Sequence, residues 1–201
     1  MKTRLVLLVT LAILSCNNLL YSQSPVSAEL SNIFHGKTTL SFVYSFGGND
    51  LYSADDIVGG PSYYGKGFFS IGAIASFEVM KNLDIVSGIT YIRNRFEKTG
   101  APIGVPQTPT NESIGVVNIP IFAKYHFLKF LYVGGGPVVC FNNGDRDLNG
   151  IGAEAHFGAE YNFKSGIVIS FGPYMRIQGL LPSKEYRLFN SGVKFGLGYR
   201  F

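Results

Sequence analysis

Phe189-Asn190-Ser191-Gly192-Val193-Lys194-Phe195-Gly196-Leu197-Gly198-Tyr199-Arg200-Phe201 closes the chain, and its alternation decides the fold. Phe189, Val193, Phe195, Leu197, Tyr199 and Phe201 share one parity, while Asn190, Gly192, Lys194, Gly196, Gly198 and Arg200 share the other. A repeat of two places successive side chains on opposite faces of a strand, so one face here is greasy and the other is polar or bare. The preceding stretch sets Ile167, Ile169, Phe171, Met175 and Ile177 against Ser170, Gly172, Tyr174 and Arg176, with Val168 as an exception. Before it, Ile151, Ala153, Ala155, Phe157, Ala159 and Tyr161 alternate with Gly152, Glu154, His156, Gly158 and Glu160. The outward face of a soluble sandwich carries Lys, Glu, Thr and Ser. Glycine with isolated charges instead fits the packed lumen of a narrow barrel.

Extended toward the amino terminus, this reading gives eight strands: Thr38–Phe46, Gly67–Met80, Leu83–Arg95, Ser113–Phe127, Leu131–Phe141, Ile151–Phe163, Gly166–Gln178 and Arg187–Phe201. The first is the weakest, because Val43 interrupts the polar parity of Thr39, Ser41 and Ser45. The intervening segments alternate between longer and shorter, with Gly47–Lys66, Phe96–Glu112, Asn142–Gly150 and Gly179–Tyr186 on one side and Lys81-Asn82, Leu128–Phe130 and Lys164-Ser165 on the other. Outer-membrane barrels have short periplasmic turns and longer outer loops, and an even strand count brings both termini to the periplasmic side. The predicted fold is all-β, an eight-stranded antiparallel up-and-down transmembrane β-barrel preceded by a cleaved signal peptide.

Composition agrees with an exported membrane protein. Charged residues are 15% and aromatic residues 14% of the 201, with 25 Gly and no Trp. Lys2 and Arg4 followed by the apolar run Leu5–Leu14 have the form of a secretory signal, and the run is too short to span a bilayer as a helix. Cleavage after Ser22 makes residues 1–22 the leader, 23–37 a periplasmic tail and 38–201 the barrel. Ile13-Leu14-Ser15-Cys16 also has the form of a lipoprotein box that would retain Cys16 as a lipidated terminus, although the apolar Leu19-Leu20 pair that follows is a poor tether. Cys16 and Cys140 are the two cysteines, so a leader cut at Ser22 leaves no partner for a disulfide. The net charge of +4 falls to about +2 once Lys2 and Arg4 leave, a balance that does not call for a nucleic-acid partner.

Two neighbouring strands carry a recognisable pair of motifs, Asn118-Ile119-Pro120-Ile121-Phe122-Ala123-Lys124-Tyr125 and Leu131-Tyr132-Val133-Gly134-Gly135-Gly136-Pro137. They resemble the outer-membrane β-barrel domain family common in Bacteroidetes and called PorT-like, over roughly Thr38–Phe201. The resemblance implies an outer-membrane barrel and supplies no catalytic residue. It also implies that the ending Gly196–Phe201, with Tyr199 and Phe201, serves as the insertion signal read by the barrel-insertion machinery. A part in secretion, which the family name evokes, is a minor reading.

Glu78, Lys124, His126, Glu154, His156, Glu160, Arg176, Lys194 and Arg200 fall on the lumen parity. Eight strands leave an interior just wide enough for side chains, so groups of both signs are expected to pair as a packed polar core. The functional alternative for them is a narrow proton or ion path. His126 and His156 are read on separate strands and toward opposite ends, which argues against a shared metal. A lipid A-modifying enzyme needs a Ser with a His and a carboxylate in reach, and no such spacing is present. Asn49, Asp50, Tyr52, Asp55, Asp56, Tyr63 and Tyr64, and then Asn142, Asn143, Asp145, Arg146 and Asp147, are assigned to outer loops as hydrated segments or cation ligands. The Gly134-Gly135-Gly136 run lacks the Lys and Ser/Thr of a phosphate loop and is read as close strand packing.

The resulting expectation is a non-enzymatic outer-membrane barrel without cofactor or metal, structural or adhesive in role. Its partners would be outer-membrane lipid and lipopolysaccharide, the insertion machinery, and an unidentified ligand of the loops. A small gated or porin-like pore is the alternative. The facing assignment predicts that Val193→Arg or Leu197→Arg costs roughly 2–4 kcal/mol near the midplane, while Gly192→Ser is milder. Equilibrium folding into lipid vesicles measures both, and equal tolerance would reverse the facing.

Overall fold

The computed structural model describes residues 36–53, 62–100, 108–142, 148–182 and 186–201. The leader, Cys16, all but Gly36 and Lys37 of the 23–37 tail, and the loop residues Asp55, Asp56, Asn143, Asp145, Arg146 and Asp147 lie outside them.

Eight strands form one closed ring in sequence order: β1 (Thr38–Ser53), β2 (Ser62–Met80), β3 (Leu83–Thr99), β4 (Thr110–His126), β5 (Leu131–Phe141), β6 (Gly150–Asn162), β7 (Ile167–Leu181) and β8 (Tyr186–Arg200). All neighbours are antiparallel, and β8 closes on β1. Residues 81–82, 127–130 and 163–166 make the connections at one end, which also carries the first residue of β1, Thr38, whose carbonyl accepts from Phe201 N at 2.8 Å. At the other, long-loop end the connections 54–61, 100–109 and 142–149 are longer, while 182–185 matches the four-residue turns 127–130 and 163–166 in length.

Paired residues followed once around the ring run Thr38, Phe77, Ile85, Ala123, Gly135, Ala155, Met175 and Ser191, and return to β1 at Gly48. That is a stagger of ten residues. With ordinary strand rise and spacing it sets a strand tilt of about 40° and a barrel radius of about 8 Å. Such a bore admits side chains and little else.

The outer face is apolar along its height. Phe42 is 58% exposed, Phe157 60% and Leu197 60%, and Tyr44, Phe46, Ile71, Ile89, Tyr125, Ile169, Phe171, Phe195 and Tyr199 stand with them. Phe46, Phe195 and Phe171 form a run of ring contacts across β1, β8 and β7, at 6.2 and 4.8 Å between centroids. A wall of this kind is matched to hydrocarbon, since a soluble surface rarely exposes so large a contiguous apolar area. Pro137 and Pro173 also sit on it. They lack an N–H, and the ladders skip rungs where they fall, between Pro120↔Val138 and Ala123↔Gly135 and between His156↔Tyr174 and Ala159↔Phe171.

Three expectations are corrected. β1 continues past Phe46 to Ser53, β2 starts at Ser62 instead of Gly67, and β3 and β4 reach Thr99 and Thr110, so Asn49, Asp50, Tyr52, Tyr63 and Tyr64 are strand residues. Beyond the hydrocarbon neither face must be greasy, so alternation fades while backbone pairing persists. The interior is polar only in part, as described below. Finally, a Cβ at Gly192 would meet the Phe46 carbonyl oxygen and lie 2.8 Å from Gly47 Cα, so Gly192→Ser has no free space and the milder outcome expected for it no longer follows.

Candidate functional site

Polar and charged side chains fill the half of the bore nearer the short turns. β6 presents Glu154, His156 and Glu160 inward, because each second residue of a strand faces the same way. Glu154 is fully enclosed and accepts from Arg176 Nε at 2.9 Å and Nη2 at 2.5 Å through its Oε2, while Lys194 donates to its Oε1. One carboxylate thus faces two cations from β7 and β8. His156 Nδ1 is 3.5 Å from the same Oε1, and the imidazole packs edge-on against Phe122 at 4.5 Å. Lys194 Nζ lies 4.7 Å from the Tyr174 ring centroid, which supplies a π face on its other side.

A second cluster lies toward the short turns. Lys124 Nζ donates to Glu160 Oε2 at 2.9 Å and stands 3.3 Å from Asp84 Oδ2, which is also 3.2 Å from His126 Nε2. Arg200 Nη2 approaches Glu160 Oε1 at 3.6 Å, and its Nε donates to Thr39 Oγ1 at 3.0 Å. Tyr132 stands between the two histidines, its ring 6.1 Å from His126 and 5.7 Å from His156. Glu78 lies apart from these pairs, at the rim. With Asn82, Asp84, His126, Phe127, Leu128, Lys129, Asn162 and Arg200 it lines an open vestibule of about 350 Å³.

Toward the long loops the bore is apolar. Phe68, Ile92, Phe96, Ile114, Val116, Val138, Cys140, Tyr174 and Leu188 pack together, and Leu148 closes over them from the β5–β6 connection. Two amide pairs cross the bore among these side chains, Asn190 Nδ2 to Asn94 Oδ1 at 2.6 Å and Gln178 Nε2 to Asn118 Oδ1 at 3.0 Å. Within the charged half, a cavity of about 30 Å³ touches Lys124 and Glu160 of one cluster, His156 and Lys194 of the other, and Phe122 and Tyr132. That is room for about one water.

The nine titratable residues picked from parity therefore face inward, Glu78 at the rim, but the pattern did not single out Asp84, Tyr132 or the amides. Asp84 shares parity with Val86, Thr90 and Asn94 and was legible in principle. The amide pairs were not, since Asn94 and Asn190 are 96 positions apart on strands that do not adjoin. Asn49 is expected in an outer loop, hydrated or cation-binding. It is instead a buried strand residue whose side chain donates to Arg95 O at 3.2 Å and accepts from Gly67 N at 2.7 Å. Asn142 donates its N–H to Asn149 Oδ1 at 2.6 Å within the turn and its Nδ2 to Gly115 O of β4 at 3.2 Å. Tyr199 and Phe201 lie on the outer face with ring centroids 5.0 Å apart. Among the described residues, no three His, Cys, Asp or Glu side chains converge in a metal-binding group.

The fold is that of small outer-membrane barrels. The outer membrane protein OprG from Pseudomonas aeruginosa superposes with a TM-score of 0.54 at 11% identity, over 83% of this chain and 96% of that one. Ail, the attachment invasion locus protein of Yersinia pestis solved with the heparin analogue sucrose octasulfate, aligns over 83% of this chain and 99% of its own at 10% identity and a TM-score of 0.46. The outer membrane protein AlkL aligns over 80% and 90% at 18% identity and 0.41. No protein-family model matches the chain, and no curated sequence is significantly similar.

Removing the Glu154 charge strands two cations in the bore. Glu154→Gln is expected to lower the unfolding free energy by about 3–5 kcal/mol, the cost of breaking a buried ion network from one side. Glu78→Gln at the rim should change it little. Urea unfolding of the vesicle-inserted protein measures both, and equal midpoints would deny Glu154 its central place.

Proposed function

We propose that the chain is a non-enzymatic barrel of the bacterial outer membrane, closed to solutes, that presents its long-loop end outward and holds both termini in the periplasm. The filled bore carries this reading. Among the described residues the interior consists of a charged network that encloses a cavity of about 30 Å³ and of an apolar plug beyond it, a filling that supports a bore without a continuous path for a solute. Its recognition surfaces are then the two ends and the outer wall. The apolar exterior supports residence in a bilayer, and the arrangement of short turns at one end and longer connections at the other follows the usual orientation of such barrels. The motifs at 118–125 and 131–137 support kinship with the PorT-like group.

A gated channel is the second reading, favoured by the vestibule of about 350 Å³ that leads from the short-turn rim to the Asp84, His126 and Lys124 cluster. Opening it would require the apolar plug to move.

Planar-bilayer recording separates the two. The protein in a bilayer should show no stable conductance steps at moderate voltage, and vesicles containing it should not swell in small sugars. Replacing Phe96 and Ile92 together by Ala should thin the plug and raise ion leakage above that of the unaltered barrel. Steady channel activity in the unaltered protein would overturn the closed reading.

A further inference from the structure

The ring is complete, yet one seam splits. β1 pairs with β2 as far as Gly47↔Phe68. Beyond that point β1 continues with β8 to Ser53↔Tyr186, and β2 continues with β3 to Ser62↔Thr99. The two strands part where β2 bulges between Gly65 and Phe68, with Gly67 at a φ of 88°, a conformation that glycine adopts without strain. Asn49 of β1 bridges the parting, its side chain accepting from Gly67 N of β2 and donating to Arg95 O of β3.

At the foot of the split, beside the bulge, an open cleft of about 410 Å³ lies in the outer wall, lined by Tyr44, Phe46, Gly47, Lys66, Phe69 and Arg95. Its lower part is aromatic and its upper part is cationic. Arg93, the partner of Phe69, flanks the cleft on the same outer face without lining it, its Nη2 3.4 Å from Ser113 Oγ of β4. Glu97 takes up one positive charge through its 2.6 Å ion pair with Lys66, which leaves Arg93 and Arg95 uncompensated by carboxylates among the described residues. Arg95 is exposed and its guanidinium has no hydrogen-bond partner among them.

Height fixes what such a cleft meets. The ten β1 residues Thr38–Gly47 that pair with β2 below the split rise about 25 Å at a tilt of about 40°, the height of the apolar band of such barrels. The split therefore opens where hydrocarbon gives way to headgroups. We propose that this cleft binds the phosphate of a membrane lipid, with Arg93, Arg95 and Lys66 on the phosphate oxygens and an acyl chain along Tyr44, Phe46 and Phe69. Guanidinium groups suit this ligand because their paired N–H donors match phosphate oxygens. In the orientation proposed above, the lipid is the lipopolysaccharide of the outer leaflet. The site rests on that reading for its leaflet and on residence in a bilayer for its existence.

Native mass spectrometry of the full chain in detergent tests the site directly. The probes are bisphosphorylated lipid A and the same lipid with its phosphates removed. One lipid A should be retained at least tenfold more tightly than the phosphate-free form, and Arg93→Gln with Arg95→Gln should remove that preference. Lys81→Gln with Lys164→Gln, at the short turns, should keep it. Inorganic phosphate alone should not compete at equal concentration. Equal retention of both lipids, or an unchanged preference in the double arginine variant, overturns the site. A heat-modifiable gel shift on each sample keeps the two readings apart. A shift with no lipid preference overturns the cleft alone, whereas no shift in the unaltered protein overturns the membrane barrel and the lipid site with it.

Discussion

The structure depends on the stagger of its strands. Eight strands that close with a shift of ten residues fix the tilt and hence the bore, at a radius of about 8 Å. Nothing in the backbone can fill that space, and water inside it would need polar partners throughout. Side chains must fill it, and they must also satisfy one another, because a lone buried charge costs several kcal/mol. The Glu154 cluster meets both demands. One carboxylate neutralises part of the charge of Arg176 and Lys194, and the remaining faces of the cations lie against Tyr174 and Phe122.

The division of the bore into a charged half and an apolar half has a mechanical meaning. Ion pairs between strands that do not adjoin, such as Lys124 of β4 with Glu160 of β6 and Lys194 of β8 with Glu154 of β6, act as struts. They resist collapse or shear of the barrel where the hydrocarbon gives the strands no polar support. Near the long loops the strands leave the hydrocarbon, and the bore there is held by packing of Phe68, Phe96, Ile114 and Leu188. The apolar cluster at that end stands between the charged half and the loop side.

Much of this was legible in the sequence, for a specific reason. In the hydrocarbon region one face of every strand must be apolar, so parity along Phe189–Phe201 or Ile151–Tyr161 reports facing directly. Glu154, His156, Glu160, Arg176 and Lys194 could be placed inward on that ground alone. Parity fails wherever that demand is lifted. Gly47-Gly48-Asn49-Asp50 gives no alternation and still forms strand, because β8 supplies its backbone partners through Asn49↔Asn190 and Asp50↔Phe189. Inward apolar residues are equally opaque. Ile92 and Phe96 look like membrane-facing side chains until Tyr91 and Arg93 are seen to occupy the outer face. Pairings across the bore have no local signature, because the partners are set by the shift of ten residues and by no sequence spacing.

Backbone accounting ties the stagger to the split seam. Within hydrocarbon every N–H and C=O needs a partner, so neighbouring strands cannot separate there without cost. β1 and β2 do separate, after Gly47↔Phe68, and each keeps a partner only on its far side. The separation is tolerable only where water or headgroup oxygens can reach the freed groups. Asn49 already meets part of that need by bonding Gly67 N and Arg95 O, a side chain standing in for the missing rung. The charged residues nearby follow the same logic. Lys66, Arg93 and Arg95 would be costly on the outer wall at mid-bilayer and cost little at its edge. The bulge, the amide bridge and the three cations thus mark one level of the barrel, the height at which its outer wall changes from apolar to cationic.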